Sequence, residues 1–138
     1  THGWGEDMRR CQQIEGIAPL TSAALATVSH RRHFRNAHAF IAFLGLDVRV
    51  RDSGKQRGKR KLTKKGDSEL RRLLYNAAMS ASSTPRWRPY YERHLARGLT
   101  KIQALVALGR KLARVAFALM QNQSDYQPKI PQEACIAA

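Results

Sequence analysis

Residues 100–120 read TKIQALVALGRKLARVAFALM, and this stretch decides the fold class. Thr100, followed three residues later by Gln103, forms the pattern of a capping box, which satisfies backbone N–H groups at the start of a helix. The apolar residues that follow recur at intervals of three and four, the spacing of one helix face. The members of this face are Ile102, Leu105, Val106, Gly109, Leu112, Ala113, Ala116, Leu119 and Met120. We therefore expect the longest helix of the chain here.

The same helical spacing occurs immediately upstream of this stretch. One set consists of Leu70, Leu73, Leu74, Ala77, Ala78 and Ala81. It predicts a helix from an N-cap at Asp67 to about Ser82. A second set, which consists of Trp87, Tyr90, Tyr91, His94 and Leu95, predicts a shorter helix that ends at Gly98. Its aromatic side chains could pack in the core or form a stacking platform for bases, and the spacing favours the core.

The amino-terminal half is also predicted to be helical. Residues 6–13 suit a short helix, and a glycine turn then leads to Pro19 at the first position of the next helix. We expect the apolar face of that helix to consist of Leu20, Ala23, Ala24 and Val28. A basic turn at residues 30–33 follows, where the histidines are expected at the surface or on phosphates. A third helix runs over residues 34–44, and Gly45 ends it.

Composition agrees with a helical domain. The chain has 138 residues, of which 43% are hydrophobic and only 7% aromatic, so a core of Leu, Ala, Ile and Val is expected. We predict an all-α fold with a helix-hairpin-helix-like half, a long basic loop and a three-helix half. Residues 1–123 form this domain, and residues 124–138, which contain two prolines, form a poorly ordered tail. Because the chain begins at Thr1, we expect a piece of a longer protein.

The formal net charge of +15 points to a polyanionic partner. So large a positive charge repels itself unless a polyanion offsets it, and nucleic acid is the commonest such partner. A solvated basic surface is the alternative. No apolar run approaches the ~20 residues that span a bilayer, so no membrane partner is expected. The two cysteines, Cys11 and Cys135, lack the spacing of a metal site and are expected to be free thiols.

The positive charge is concentrated in residues 47–66, which contain three glycines and few apolar residues. We interpret this segment as a long, exposed loop that binds nucleic acid. Its predicted phosphate contacts are Arg51, Lys55, Arg57, Lys59, Arg60, Lys61, Lys64 and Lys65. Ser53 precedes Gly54 in the same loop and is either a turn residue or a nucleophile, because the surrounding cations could stabilise charge on a phosphoryl group. Asp52 could accept its proton or hold the turn.

Two further stretches could contact phosphates. Residues 14–21 read IEGIAPLT, a glycine turn between two helices that would point backbone N–H groups of Gly16, Ala18 and Thr21 at an anion. An ordinary helix turn is the alternative. At the start of the helix after Asp67, Arg71 and Arg72 extend the basic segment. Carboxylates are scarce and scattered, so no metal site is expected in this chain.

In this order, these stretches resemble the carboxy-terminal domain of one group of insertion-sequence transposases, those related to the Piv DNA invertases and known as the one-ten/one-sixteen group. The matching words are IEGIAPLT at 14–21, FR at 34–35, FLGL at 43–46, SG at 53–54, LTKKGD at 62–67, LRRLL at 70–74, Tyr91, RG at 97–98 and RKL at 110–112. The resemblance covers residues 8 to 127. No single word is specific to the group, but the occurrence of all of them in this order is.

The resemblance implies a recombinase built from two parts. An amino-terminal RuvC-like domain, which has no counterpart in this chain, would carry four acidic residues that bind Mg²⁺, and a structured bridge RNA would guide the enzyme. The carboxy-terminal domain would supply the serine that becomes covalently linked to DNA, which by position is Ser53. The resemblance also implies DNA as substrate, a homo-oligomer and a location in the prokaryotic cytoplasm at the nucleoid.

Three hypotheses follow for the function of this chain. The first is the serine-bearing part of a DNA transposase, which is catalytically incomplete alone. The second is a non-catalytic nucleic-acid-binding module in which Ser53 is structural. The third is a protein-interaction domain whose basic loop binds an acidic partner. Salt-dependent binding to DNA or structured RNA would separate the first two from the third.

Overall fold

The computed structural model describes residues 3–45 and 65–127. Within these ranges the chain forms six α-helices and no β-strand. The helices are α1 (Trp4–Gln12), α2 (Pro19–Arg31), α3 (Ala37–Leu44), α4 (Lys65–Ala81), α5 (Arg88–Ala96) and α6 (Lys101–Asn122). The predicted all-α fold is therefore confirmed for this part of the chain. The predicted basic loop falls almost entirely on residues 46–64, which lie outside the described residues.

Helix α6 is the element around which the other helices pack. It contacts each of α1 to α5. Eleven of its 22 residues are buried, and they occupy more than one side of the helix: Ala104, Leu105, Ala107, Leu108, Gly109, Leu112, Ala113, Ala116, Phe117, Leu119 and Met120. Because many of these residues are alanine or glycine, neighbouring helices can approach the α6 backbone closely. The stretch that decides the fold class is thus also the centre of the core.

The start of α6 confirms the predicted cap and corrects one core residue. Thr100 Oγ1 accepts from Gln103 N–H at 3.1 Å, and Gln103 Oε1 accepts from Thr100 N–H at 3.0 Å. Ile102, which was predicted on the buried face, is 63% exposed. It precedes the buried Ala104 by two residues, which turns it about 200° around the helix axis. The prediction for Ile102 was therefore wrong.

The buried side of α2 also differs from the prediction. Its buried residues are Thr21, Ser22, Leu25 and Ala26, whereas Leu20 is 64% exposed. Ser22 can occupy this buried face because its hydroxyl group has a partner within the helix. The hydroxyl donates to the Pro19 carbonyl at 2.8 Å. Ala24 and Val28 remain partly buried against the core, as expected.

Helix α4 buries the predicted leucine and alanine face completely. It begins at Lys65 rather than after a cap at Asp67. Helix α5 begins at Arg88, so Trp87 occupies its N-cap position and is 1% exposed. Cys11 on α1 is a free thiol with no exposed surface, and burial, followed by the nearby Asp7 carboxylate, raises its pKa to about 12.

The turn between α1 and α2 lies directly on α4. Gly16 has φ of +89°, and the Ile17 N–H donates to the Ile14 carbonyl at 3.1 Å to close the turn. A Cβ atom on Gly16 would lie 2.5 Å from the Ala77 carbonyl oxygen and 2.8 Å from the Ala81 Cβ. Any larger residue would therefore separate the turn from α4. Glycine is required here by both backbone conformation and space.

The chain after α6 returns to this turn. The Tyr126 N–H donates to Gln13 Oε1 at 2.7 Å, and its ring packs against the core. Of the tail predicted over 124–138, residues 124–127 are described and carry this contact. Residues 128–138 lie outside the described residues, so for them the tail stays a prediction.

We predict that Gly16→Ala strongly destabilises the domain, and that Gly98→Ala provides the matched control. Gly98 also has a positive φ, of +102°, but open space surrounds the position of its missing Cβ. Both variants incur about 1–2 kcal/mol of backbone strain. Gly16→Ala should lose roughly 1–3 kcal/mol more, because α4 must move. Urea unfolding followed by circular dichroism measures the difference, and equal losses in the two variants would contradict the packing argument.

Candidate nucleic-acid interface

The predicted site residues, which are the phosphate contacts and the candidate nucleophile Ser53, divide into those that the structure describes and those that it does not. Eight of them lie outside the described residues: Arg51, Ser53, Lys55, Arg57, Lys59, Arg60, Lys61 and Lys64. Lys65 is the first residue of α4. The structure places Gly16, Ala18, Thr21, Arg71 and Arg72. The described part of the candidate interface therefore consists of the α1–α2 turn and the first turns of α4.

Arg71 lies beside the point at which α3 ends. Gly45 caps α3 with φ of +81°, and Arg71 Nη1 lies 2.7 Å from the position that a Cβ on Gly45 would take. Its other terminal nitrogen donates to Ser68 Oγ at 3.3 Å. Because α3 packs against α4, the guanidinium group is held next to Gly45, the last described residue before the basic segment. The structure thus brings one predicted contact to the edge of that segment.

Arg72 is exposed on α4 and pairs with the Glu69 carboxylate one turn earlier. Both side chains are more than half exposed. An exposed pair of this kind contributes little stability, since water and salt screen it. A phosphate can therefore compete for the Arg72 guanidinium at small cost.

The first turn of α2 presents unused backbone donors. Ala18 is the N-cap residue, and its side chain cannot cap the helix. The first helical bond is from the Ser22 N–H to the Ala18 carbonyl, at 2.9 Å. Pro19 has no N–H, so the backbone donors of Leu20 and Thr21 precede that bond and find no acceptor among the described residues. Thr21 as a whole residue is only 4% exposed, whereas Leu20 is 64% exposed, so the more accessible of the two donors is the Leu20 N–H.

Glu15, in the same turn, is engaged by two aromatic donors. Its Oε1 accepts from Trp87 Nε1 at 3.0 Å and from the Tyr126 hydroxyl at 2.7 Å. The Arg86 guanidinium lies over the Trp87 ring, 4.0 Å from its centroid. These contacts hold Trp87 in the core rather than in a stacking platform. They also connect the turn to the α4–α5 connection and to the end of α6.

Four arginines on α5, its C-cap and α6 form a cationic surface that the sequence interpretation missed. We call it the arginine face, and it consists of Arg93, Arg97, Arg110 and Arg114. The two arginines of each pair are four residues apart, a spacing that places residues of a helix on one side. That spacing was visible in the sequence, but the contact between α5 and α6 that unites the pairs was not.

The remaining polar residues show no metal centre. Within residues 3–45 and 65–127, no group of three or more His, Cys, Asp and Glu side chains could hold a metal ion. His30, considered as a phosphate contact, has its Nε2 2.7 Å from the buried Asp7 Oδ2, and Arg10 lies 3.5 Å from the other Asp7 oxygen. None of the helices described is both long and apolar enough to cross a bilayer.

We predict that Tyr126→Phe reduces the loss of stability at alkaline pH. Burial, followed by the hydrogen bond to Glu15, raises the pKa of Tyr126 to about 12. An unfolded tyrosine titrates near pH ~10. The folded state therefore holds this proton more tightly, and the resulting stability is complete below pH ~10 and is lost as the pH rises toward the folded value.

Urea unfolding at pH 8 and at pH 11 tests this expectation. The free energy of unfolding of the wild type should fall more between the two pH values than that of Tyr126→Phe. Cys11 and Tyr90, whose pKa values are also raised, are present in both proteins, so their contributions cancel. Parallel pH profiles would show that Tyr126 does not titrate as described.

Comparison with known proteins shows similarity to transposases and other proteins of insertion elements. A model of the Transposase IS116/IS110/IS902 family matches residues 8–92. A probable family 20 transposase of Pseudomonas aeruginosa is 32% identical over 127 residues, covering 88% of this chain and 37% of that protein. An uncharacterized protein of insertion element IS110 from Streptomyces coelicolor is 30% identical over 127 residues, covering 91% and 31%. The IS1111A transposase of Coxiella burnetii is 30% identical over 132 residues, covering 88% and 35%. The chain spans about a third of the length of these relatives.

Proposed function

The chain belongs to the IS116/IS110/IS902 transposase family, and on that premise we propose that it is the DNA-handling, serine-bearing part of a transposase. The observation that carries the proposal is the extent of the family match. Residues 8–92 include the α1–α2 turn, the basic segment with Ser53, and the start of α4. All the residues that the sequence singled out for phosphate contact therefore fall within the family's shared region.

In this proposal Ser53 is the nucleophile of a transesterification. Its Oγ attacks the phosphorus of a DNA phosphodiester, an Oγ–P bond forms, and the bond from phosphorus to one deoxyribose oxygen breaks. The hydroxyl proton passes to a base, for which Asp52 is the candidate in the same loop, and the departing oxygen takes up a proton. Attack by the freed strand end on the serine ester reverses the step, so strand exchange needs no external energy source.

The surrounding cations would stabilise the charge that builds on the phosphoryl oxygens. The basic segment supplies most of them. Arg71 adds another, since it lies beside Gly45, the last described residue before that segment. The Mg²⁺ that the family resemblance implies does not fit the described residues, which contain no group of three suitable ligands. We therefore assign Mg²⁺ to the proposed RuvC-like domain and derive no step through it here.

The α1–α2 turn serves in this proposal as a helix-hairpin-helix-like phosphate contact. The uncapped N-terminus of α2 offers first the Leu20 N–H, because Ala18 and Leu20 are exposed, and the N–H of the buried Thr21 lies behind it. The partial positive charge of a helix N-terminus favours an anion at this position. Such a contact would position DNA without selecting a sequence.

We predict that Ala18→Asp weakens duplex binding while it stabilises the fold. An aspartate at the N-cap accepts the free N–H groups and adds roughly 1 kcal/mol of stability, but its charge repels phosphate. Ala18→Asn is the matched control, because it caps without a charge. Fluorescence anisotropy with a labelled duplex and urea unfolding measure the two effects. Unchanged DNA affinity in Ala18→Asp would remove the turn from the interface.

We predict that Ser53→Ala abolishes a covalent protein–DNA adduct in the full-length protein while DNA binding is largely retained. The substitution removes the nucleophile but no charge, so phosphate contacts persist. Nicked duplexes that trap the adduct, followed by denaturing electrophoresis, provide the measurement. Ser83→Ala is the control, since Ser83 is exposed and its hydroxyl donates only to the nearby Ser80 carbonyl.

Persistence of the adduct in Ser53→Ala would exclude this serine as the nucleophile. If no adduct forms even in the wild type but DNA binding is strong, the chain is better described as the non-catalytic binding module. Binding to an acidic protein with no affinity for any polynucleotide would favour the interaction domain instead.

The wider setting of the proposal follows from the family. We place the protein at the DNA of a prokaryotic cytoplasm, as a homo-oligomer, because recombination joins two duplexes. A structured guide RNA of the bridge type is the second proposed polyanion. Both nucleic acids share the phosphate chemistry for which a net charge of +15 is suited.

A further inference from the structure

Four arginines converge on one surface that lies outside the stretches described above. Arg93 is on α5 and Arg97 is the C-cap residue directly after it. Arg110 and Arg114 are on α6, and the two helices are in contact. Arg93, Arg97 and Arg114 are exposed, and Arg110 is half-buried. Residues four apart on a helix are separated by about 6 Å along its axis. The arginine face therefore combines two closely spaced pairs of arginines from two helices that are in contact.

Tyr90 is influenced by both pairs of arginines. Its pKa is raised by burial, and the positive charges of all four arginines act in the opposite direction. The Arg93 guanidinium carbon is 5.8 Å from the centre of the Tyr90 ring. Four cations act on a single hydroxyl group, so they belong to one surface.

No carboxylate within the described residues neutralises this surface. Glu92 is the acidic residue of α5, and it forms no ion pair with any member of the arginine face. Helix α6 contains no acidic residue at all. Like charges at i and i+4 destabilise a helix, so two such pairs side by side are unfavourable in isolation. A polyanion that binds here relieves that repulsion.

We propose that the arginine face is a second contact surface for duplex DNA, separate from the glycine turn and the basic segment. Guanidinium groups bind phosphate oxygens in pairs and remain charged at every physiological pH. The inference rests on the proposed function for the choice of DNA as the polyanion. It extends that function by assigning α5 and α6, most of which lies beyond the family match, to the duplex.

The duplex is favoured over a single strand because the aromatic residue of this surface is already occupied. Single-strand binding relies on rings on which bases stack. The Tyr90 ring packs edge-on to Trp87, with centroids 6.0 Å apart, and against His94, with centroids 4.6 Å apart. The arginine face therefore has positive charge but no free ring on which a base could stack. Such a surface can bind the phosphate backbone of a duplex, in which the bases are already paired and stacked.

The test compares two double variants of the 138-residue chain. Arg97→Gln/Arg114→Gln removes one exposed arginine from each pair, the C-cap residue of α5 and one residue of α6. Arg31→Gln/Arg35→Gln removes two exposed arginines near the α2–α3 connection and is the control with the same change in charge. Binding to a labelled 25-base-pair duplex is measured by anisotropy from ~50 to ~200 mM salt, the range over which phosphate contacts are resolved.

We expect the slope of log affinity against log salt to become shallower by about 2 in the test variant, because each lost phosphate contact contributes about 0.9. Affinity near 0.15 M salt should fall by on the order of tenfold. Arg97→Lys/Arg114→Lys should restore most of the slope, since lysine keeps the charge. The control should change the slope by less than half as much.

Several results would overturn the inference. Equal slopes in the test and control variants would mean that only total charge matters. If the test variant loses affinity only for an RNA duplex of the same sequence, the face binds RNA. If polyglutamate displaces the labelled duplex as effectively per charge as unlabelled DNA does, the face binds any polyanion. If Lys64→Gln/Arg72→Gln weakens binding and the test variant does not, the inference fails and the proposed function stands. If the wild type binds no duplex, both fail.

Discussion

The close approach of the α1–α2 turn to α4 is the constraint on which the rest of the structure depends. Gly16 sits against the Ala77 carbonyl and the Ala81 side chain with no room for a Cβ atom. This contact joins the amino-terminal helices to the carboxy-terminal ones, while α6 fills the space between them. The uncapped start of α2 and the arginines of α4 are thereby fixed relative to each other before any ligand arrives.

The distribution of charge follows from how the few carboxylates are used. Asp7 is buried with Arg10 and His30, and Glu15 accepts hydrogen bonds from Trp87 and Tyr126. These acids stabilise the fold and are unavailable to neutralise the surface. The arginine face is likewise without an acidic partner among the described residues. A surface with such unpaired arginines is suited to a polyanion.

Sequence periodicity predicted most of the helices but not every face. The leucines and alanines of α4 and the cap at Thr100 are local patterns, and the structure confirms them. The predicted burial of Ile102 and Leu20 was wrong. Exposure at a helix end depends on where neighbouring helices stop, and no local pattern encodes that. The arginine face needed the packing of α5 on α6. Ser53 lies outside the described residues, so its role stays a prediction from family resemblance.

The reactivity of the buried Cys11 thiol can be used to follow opening of the helical bundle. Its sulfur is completely enclosed, and its pKa of about 12 leaves almost no thiolate at neutral pH. Oxidants and alkylating reagents can therefore modify this side chain only when α1 separates from the bundle. The rate of modification at this one position then measures how often the native architecture opens, and any ligand that locks the helices together would slow that chemistry in proportion.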